Sequence, residues 1–153
     1  MEQIVKLLKE KELTIGSIES MTGGLFASTI TSVPGASKVY KGSVVSYSPL
    51  IKENVVHVNK ETISKFGVVS KEVALEMANK GRELLDVDIC VSVTGNAGPT
   101  TEPGQAGVGV VYIGISCKDG TRVIKKVFEG ERNKIREDTL LALQEEILYT
   151  IKK

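Results

Sequence analysis

The sequence predicts an α/β fold: a three-layer α/β/α sandwich on a mixed, partly antiparallel sheet of about five or six strands. Three observations predict it. A β-branched run ends in a glycine loop and continues as a helix (LTIGSIESMTGGLFASTITSV, 13–33), the order in which α/β proteins join a strand to its covering helix. The stretch DICVSVT at 88–94 is almost wholly apolar and also ends in a glycine loop, as a central strand covered on both faces does. Lys118-Asp119-Gly120 separates two further strand-like runs, and Asp-Gly between such runs signals a hairpin.

The elements follow in order. Residues 1–12 carry Ile4, Val5, Leu7 and Leu8 at helical spacing. Residues 13–18 read as a strand, 19–24 as its glycine loop and 25–33 as a helix stopped by Pro34-Gly35. VYKGSVVSY at 39–47 is a second strand, and Pro49 suits the first turn of a short helical piece containing Lys52. Asn59 to Thr62 opens a helical segment ending at Gly67, and Ser70 is an N-cap candidate for the helix over 71–85. Strands over 108–117 and 121–128 flank the hairpin turn, and residues 132–153 form a closing amphipathic helix. No linker, repeat or low-complexity tract divides the chain, so one domain over 1–153 is expected.

Composition narrows the function. Twenty Lys plus Arg against nineteen Asp plus Glu leave a formal charge of +1. A nucleic-acid or acidic-membrane partner calls for a basic surplus, so neither is expected. No apolar run approaches the ~20 residues of a membrane span, and the opening MEQIVKLLKEKEL does not read as a signal peptide. Cys90 and Cys117 sit in apolar stretches without a CxxC pattern. They read as buried thiols of a cytoplasmic protein, with no structural zinc and no disulfide framework. His57 is the only histidine, so a multi-histidine metal site is excluded. No cofactor or metal is expected.

Four polar constellations lie at strand ends or turns. Glu19-Ser20-Met21-Thr22-Gly23-Gly24 reads either as an anion cradle at a helix start or as a tight turn with a hydroxyl cap. Ser37, after Pro34-Gly35-Ala36, reads on its own as a turn or cap serine. Tyr47 ends a strand and Lys52 follows five residues later, so a short helical turn could bring the ammonium back over the phenol. Serine, tyrosine and lysine together can perform the proton transfers of a Ser-His-Asp triad, provided burial or a cationic neighbour lowers the lysine pKa. Lys52 otherwise reads as a solvated lysine. Gly95-Asn96-Ala97-Gly98, with Arg132 and Arg136 near the start of the last helix, reads as a phosphate clamp or as a loop beside surface charge.

Taken together, IESMTGG (18–24), VPGAS (33–37), GSVVSYSPLIK (42–52), FGVVSKEVALEMA (66–78), DICVSVTGNAGPTTEPG (88–104), GVGVVYIG (107–114) and FEGERNKIR (128–136) resemble the CinA C-terminal domain family, the nicotinamide-nucleotide amidases, in its stand-alone form. The resemblance spans almost the whole chain. It implies a hydrolase of pyridine nucleotide salvage that converts nicotinamide mononucleotide to nicotinate mononucleotide and ammonia. It implies Ser37 as nucleophile, Tyr47 and Lys52 as the groups that activate and orient it, and a homodimer. Substrate contacts would come from Ser20, Thr22, Gly23 and Gly24, from the Gly95–Gly98 loop, and from Arg132 and Arg136 at the phosphate. Met21, Pro49, Asn96 and Gln105 depart from the family pattern. An amidase for another small amide and a nucleotide-binding module without turnover are the alternative expectations.

Overall fold

The computed structural model describes all 153 residues. Its centre is one five-stranded sheet in the order β2-β1-β3-β4-β5, built from β1 (Ile15–Glu19), β2 (Tyr40–Val45), β3 (Ile89–Gly95), β4 (Val110–Cys117) and β5 (Gly120–Val127). β1 runs parallel to both β2 and β3. β3–β4 and β4–β5 are antiparallel, and the last pair closes as a hairpin in which Cys117 faces Gly120 across Lys118-Asp119. The mixed sheet expected from the sequence is therefore present, with five strands. Six helices cover it: α1 (Glu2–Glu10), α2 (Leu25–Thr31), α3 (Pro49–Asn54), α4 (Lys60–Phe66), α5 (Lys71–Leu85) and α6 (Arg132–Lys152). None is long and apolar enough to cross a membrane.

Alternation along the strands sorts the core into two layers. Ile15, Ile89, Val91, Val93, Val111, Ile113 and Ile115 meet α1, α2 and α6 through Ile4, Val5, Leu8, Phe26, Ile30, Ile135, Leu143, Ile147 and Ile151. The opposite face carries a smaller cluster of Ile18, Cys90, Val56, Val58, Val73, Met77 and Val87. There β3 presents hydroxyls rather than bulk: Ser92 Oγ donates to Ala74 O at 2.6 Å and Thr94 Oγ1 to Val68 O at 2.7 Å. Small residues let α5 lie close to the sheet. A methyl group on Gly114 would stand 2.6 Å from Ala74 O, and one on Gly81 would stand 2.3 Å from Ile18 Cγ1 and 2.8 Å from Cys90 Sγ. Ser70 caps α5 as the sequence indicates, accepting from Val73 N at 3.2 Å.

The strand directions decide where a site can form. β1, β2 and β3 all end at the same edge of the sheet. The antiparallel β4 begins there and β5 ends there, so the β3–β4 loop and the start of α6 gather at that edge as well. The strand expected over 39–47 stops at Val45, because Ser48 caps α3 and Pro49 has no N–H for a ladder.

Gly81 offers a sharp test of the close packing. Glycine to alanine inside a helix ordinarily stabilises by about 1 kcal/mol. Here Gly81→Ala should destabilise by about 2 kcal/mol or more, because the methyl drives into Ile18 and Cys90. Urea unfolding of the two proteins measures it; a gain in stability would refute the close approach.

Candidate functional site

A cleft of about 560 Å³ opens at the shared edge, with Ser20, Tyr47, Lys52, Gly95, Asn96, Ala97 and Arg132 in its walls. All seven were singled out in the sequence. Lys52 is the unusual member. α3 turns it inward, and it is only 1% exposed. Its Nζ donates to Ser46 O at 2.6 Å and to Ser20 Oγ at 3.0 Å, and no carboxylate forms an ion pair with it. Burial without a counter-ion disfavours the ammonium and lowers its pKa to about 8. Roughly a tenth of the molecules then carry neutral Lys52 at pH 7, against about one in three thousand for an ordinary lysine.

Local geometry makes this contact. Ser48 accepts from Ile51 N at 3.3 Å and starts α3 with Pro49 in its first turn. Six residues suffice to swing Lys52 back beneath the end of β2. Ser46 is tied in turn to β1, donating through N at 2.7 Å and through Oγ at 3.2 Å to Glu19 O. Ser20 is the residue after that carbonyl. The N–H of Met21, next to Ser20, donates to no acceptor of the chain, so it remains available to a ligand oxygen.

The structure does not gather the expected Ser37, Tyr47 and Lys52. Ser37 lies exposed on a single 3₁₀ turn, Ala36–Lys38, before β2 begins, whereas Lys52 lies past the end of that strand. Six residues of β2 separate the two ends, roughly 20 Å of extended chain. The serine that meets Lys52 is Ser20. Tyr47 is near but otherwise engaged: its hydroxyl accepts from Arg132 Nη2 at 3.0 Å. Arg132 also donates through Nη1 to Gly98 O at 2.7 Å, bridging two walls of the cleft.

The anion cradle expected at Thr22, Gly23 and Gly24 is filled from within. Glu19, 1% exposed, accepts from Thr22 Oγ1 at 2.8 Å and from the N–H groups of Gly24, Phe26 and Ala27 at 3.2, 3.1 and 3.1 Å. Those donors are spent on a carboxylate of the chain itself, so a substrate phosphate has no claim on them. Arg136 is spent similarly, donating to Met21 O at 3.0 Å, Thr22 O at 2.9 Å and Asn133 Oδ1 at 3.0 Å. It braces the Ser20 loop and does not form a clamp. Of the two arginines, only Arg132 faces the cleft.

Asn96 shapes the opposite wall. Its Nδ2 donates to Thr100 O at 3.2 Å and Ala106 O at 3.0 Å, and its Oδ1 accepts from Gly98 N at 2.9 Å. One amide thus staples the loop that leads from β3 to β4. Burial pushes the Cys90 thiol up to about 12, and no three His, Cys, Asp or Glu side chains converge to hold a metal ion.

The pKa of Lys52 has a consequence for stability. The folded value, about 8, lies below the ordinary 10.5. Between these values the unfolded chain binds more protons than the folded one, so this group's contribution to stability rises with pH across that window. In urea unfolding, the stability of the parent minus that of Lys52→Met should therefore increase from about pH 8 to about pH 10. A flat difference would return Lys52 to an ordinary titration.

The CinA C-terminal domain model matches residues 1–150. A CinA-like protein of Kosmotoga olearia is 46% identical over 135 residues, covering 88% of this chain and 33% of that relative. The chain spans about a third of the length of the curated relatives it matches. Among solved structures, a competence/damage inducible protein, CihA, from Agrobacterium tumefaciens superposes with a TM-score of 0.90 at 29% identity, covering 99% of this chain and 92% of that one. A competence or damage-inducible protein from Enterobacter asburiae superposes with a TM-score of 0.93 at 23% identity, covering 98% and 97%; at that identity it speaks for the fold.

Proposed function

The chain belongs to the CinA C-terminal domain family, and on that premise we propose that it is an amidohydrolase that releases ammonia from nicotinamide mononucleotide in the cytoplasm. The observation that carries the reading is the buried Lys52 ammonium with a lowered pKa, 3.0 Å from a serine hydroxyl at the cleft. A serine paired with a lysine that can shed its proton near neutral pH is the minimum set for acyl transfer without histidine or metal.

In the proposed cycle neutral Lys52 Nζ takes the Ser20 hydroxyl proton as Ser20 Oγ attacks the carboxamide carbon. The N–H of Met21, which has no acceptor within the chain, is assigned to the developing oxyanion. Lys52 then returns the proton to the departing nitrogen. Ammonia leaves, and a nicotinoyl ester remains on Ser20. A water molecule, deprotonated by the same lysine, attacks that ester; the carboxylate product departs and Ser20 recovers its proton. Throughout, Ser46 O accepts one Nζ–H at 2.6 Å and keeps the nitrogen pointed at Ser20. Arg132 is the cleft residue suited to a phosphate, which would draw its guanidinium from Tyr47 and Gly98.

Ammonia release from nicotinamide mononucleotide tests the reading. Ser20→Ala and Lys52→Met should each lower kcat by at least about a thousandfold. Lys52→Arg should fail too, since guanidinium keeps its proton. Below the Lys52 value turnover should climb about tenfold per pH unit, levelling near pH 8. Ser37→Ala should stay within about tenfold of the parent. If Ser37→Ala is the dead variant and Ser20→Ala the active one, the nucleophile comes from a second copy of the chain, as a homodimer would allow. Binding of the nucleotide with no ammonia would favour a binding module without turnover, and ammonia only from other carboxamides would reassign the substrate.

Arg132→Ala should raise KM at least tenfold with kcat changed less than about threefold. An unchanged KM would reject the phosphate role.

A further inference from the structure

We propose that Glu19 is the positioning residue of the Ser20–Lys52 pair, its carboxylate standing as a built-in anion that folds the Ser20 loop into reactive geometry. This role rests on the reading of Ser20 as the nucleophile.

Glu19 is a buried charge for which the proton transfers above have no use. Burying a carboxylate is costly unless it is fully hydrogen-bonded. No lysine, arginine or histidine forms an ion pair with it. Five donors converge on it instead. Oε1 takes Thr22 Oγ1 at 2.8 Å, Phe26 N at 3.1 Å and Gly24 N at 3.2 Å; Oε2 takes Ala27 N at 3.1 Å and Ser43 Oγ at 3.3 Å. Behind these, Ser17 Oγ donates to Ser43 Oγ at 2.8 Å. The carboxylate thus binds the loop after β1, the start of α2 and the neighbouring strand β2 to one point.

Its backbone does the complementary work. Glu19 O accepts from both N and Oγ of Ser46, and Ser46 O accepts from Lys52 Nζ. One residue therefore fixes the nucleophile's loop through its side chain and the base's anchor through its carbonyl. A structural carboxylate could sit anywhere in the core. This one is adjacent in sequence to Ser20, and four of its five donors come from the five-residue loop and helix start that Ser20 opens. Removing it leaves several N–H groups pointing into a hole the size of a carboxylate.

The test uses the full chain and two readouts: labelling of Ser20 by phenylmethanesulfonyl fluoride, mapped by peptide mass spectrometry, and ammonia release from nicotinamide mononucleotide. Labelling needs the same activated hydroxyl but no particular substrate. In it Ser20 Oγ bonds to sulfur, fluoride leaves and Lys52 takes the proton. Glu19→Ala should slow labelling at least a hundredfold and lower kcat in step, with KM within about threefold. Formate at tens of millimolar should then restore at least tenfold, whereas chloride at equal ionic strength should not. Glu19→Gln keeps the volume filled and leaves one amide N–H facing that of Ala27. It should slow labelling about tenfold and gain nothing from formate, and circular dichroism of this variant secures a folded comparison if Glu19→Ala fails to fold. Parent-like labelling in a folded Glu19→Gln protein, or a slow Glu19→Ala that formate leaves unchanged, overturns the proposal. A parent labelled on Ser20 that releases no ammonia overturns the amidase reading alone, and the positioning role is then decided by the labelling rates.

Discussion

A lysine ammonium without a counter-ion, carried inward by a short helix, sets the terms for everything around it. Such a charge is tolerated in a protein interior only when its protons find oxygen. Lys52 finds two, the carbonyl of Ser46 and the hydroxyl of Ser20. Meeting that demand requires the ends of β1 and β2 to be held side by side, which the parallel pairing of the two strands secures. It also requires α3 to start abruptly, which Ser48 and Pro49 secure. The low pKa and the contact with Ser20 are thus two results of one burial.

The frame was legible in the sequence because its signals are periodic or local. The Asp119-Gly120 hairpin, the Ser70 cap and the apolar run of β3 each announce themselves within a few residues. The inward face of α6 reads equally well, with Ile135, Leu143, Ile147 and Ile151 at helical spacing. The short helix after Tyr47 was legible too, since Pro49 marks its first turn, but it carries the Lys52 ammonium onto Ser46 and Ser20 and not over the Tyr47 hydroxyl.

What escaped was which serine meets the lysine. Resemblance pointed to Ser37, and no local pattern contradicted it. The contact with Ser20 spans 32 residues and follows from strand order, which has no local signature. Glu19 was equally hidden. A glycine loop before a helix looks the same whether the anion it cradles is a ligand or the chain's own side chain, and only the fold shows that Glu19 turns back onto Gly24, Phe26 and Ala27. Arg136 misled for a related reason: long cations near a helix start suggest phosphate, whereas this one is consumed by two backbone carbonyls.

The cleft has two unlike sides. One is tied together by strands and a buried charge. The other is a loop whose form hangs on the amide of Asn96, with Thr100 and Ala106 as its moorings. The two sides share little apart from the guanidinium of Arg132, which touches Gly98 on one and Tyr47 on the other. Side-chain changes at the exposed residues 99–105 can therefore remodel the entrance while the Ser20–Lys52 contact beneath is left as it stands. Variation confined to that rim would change the shape of the doorway without disturbing the buried charge behind it.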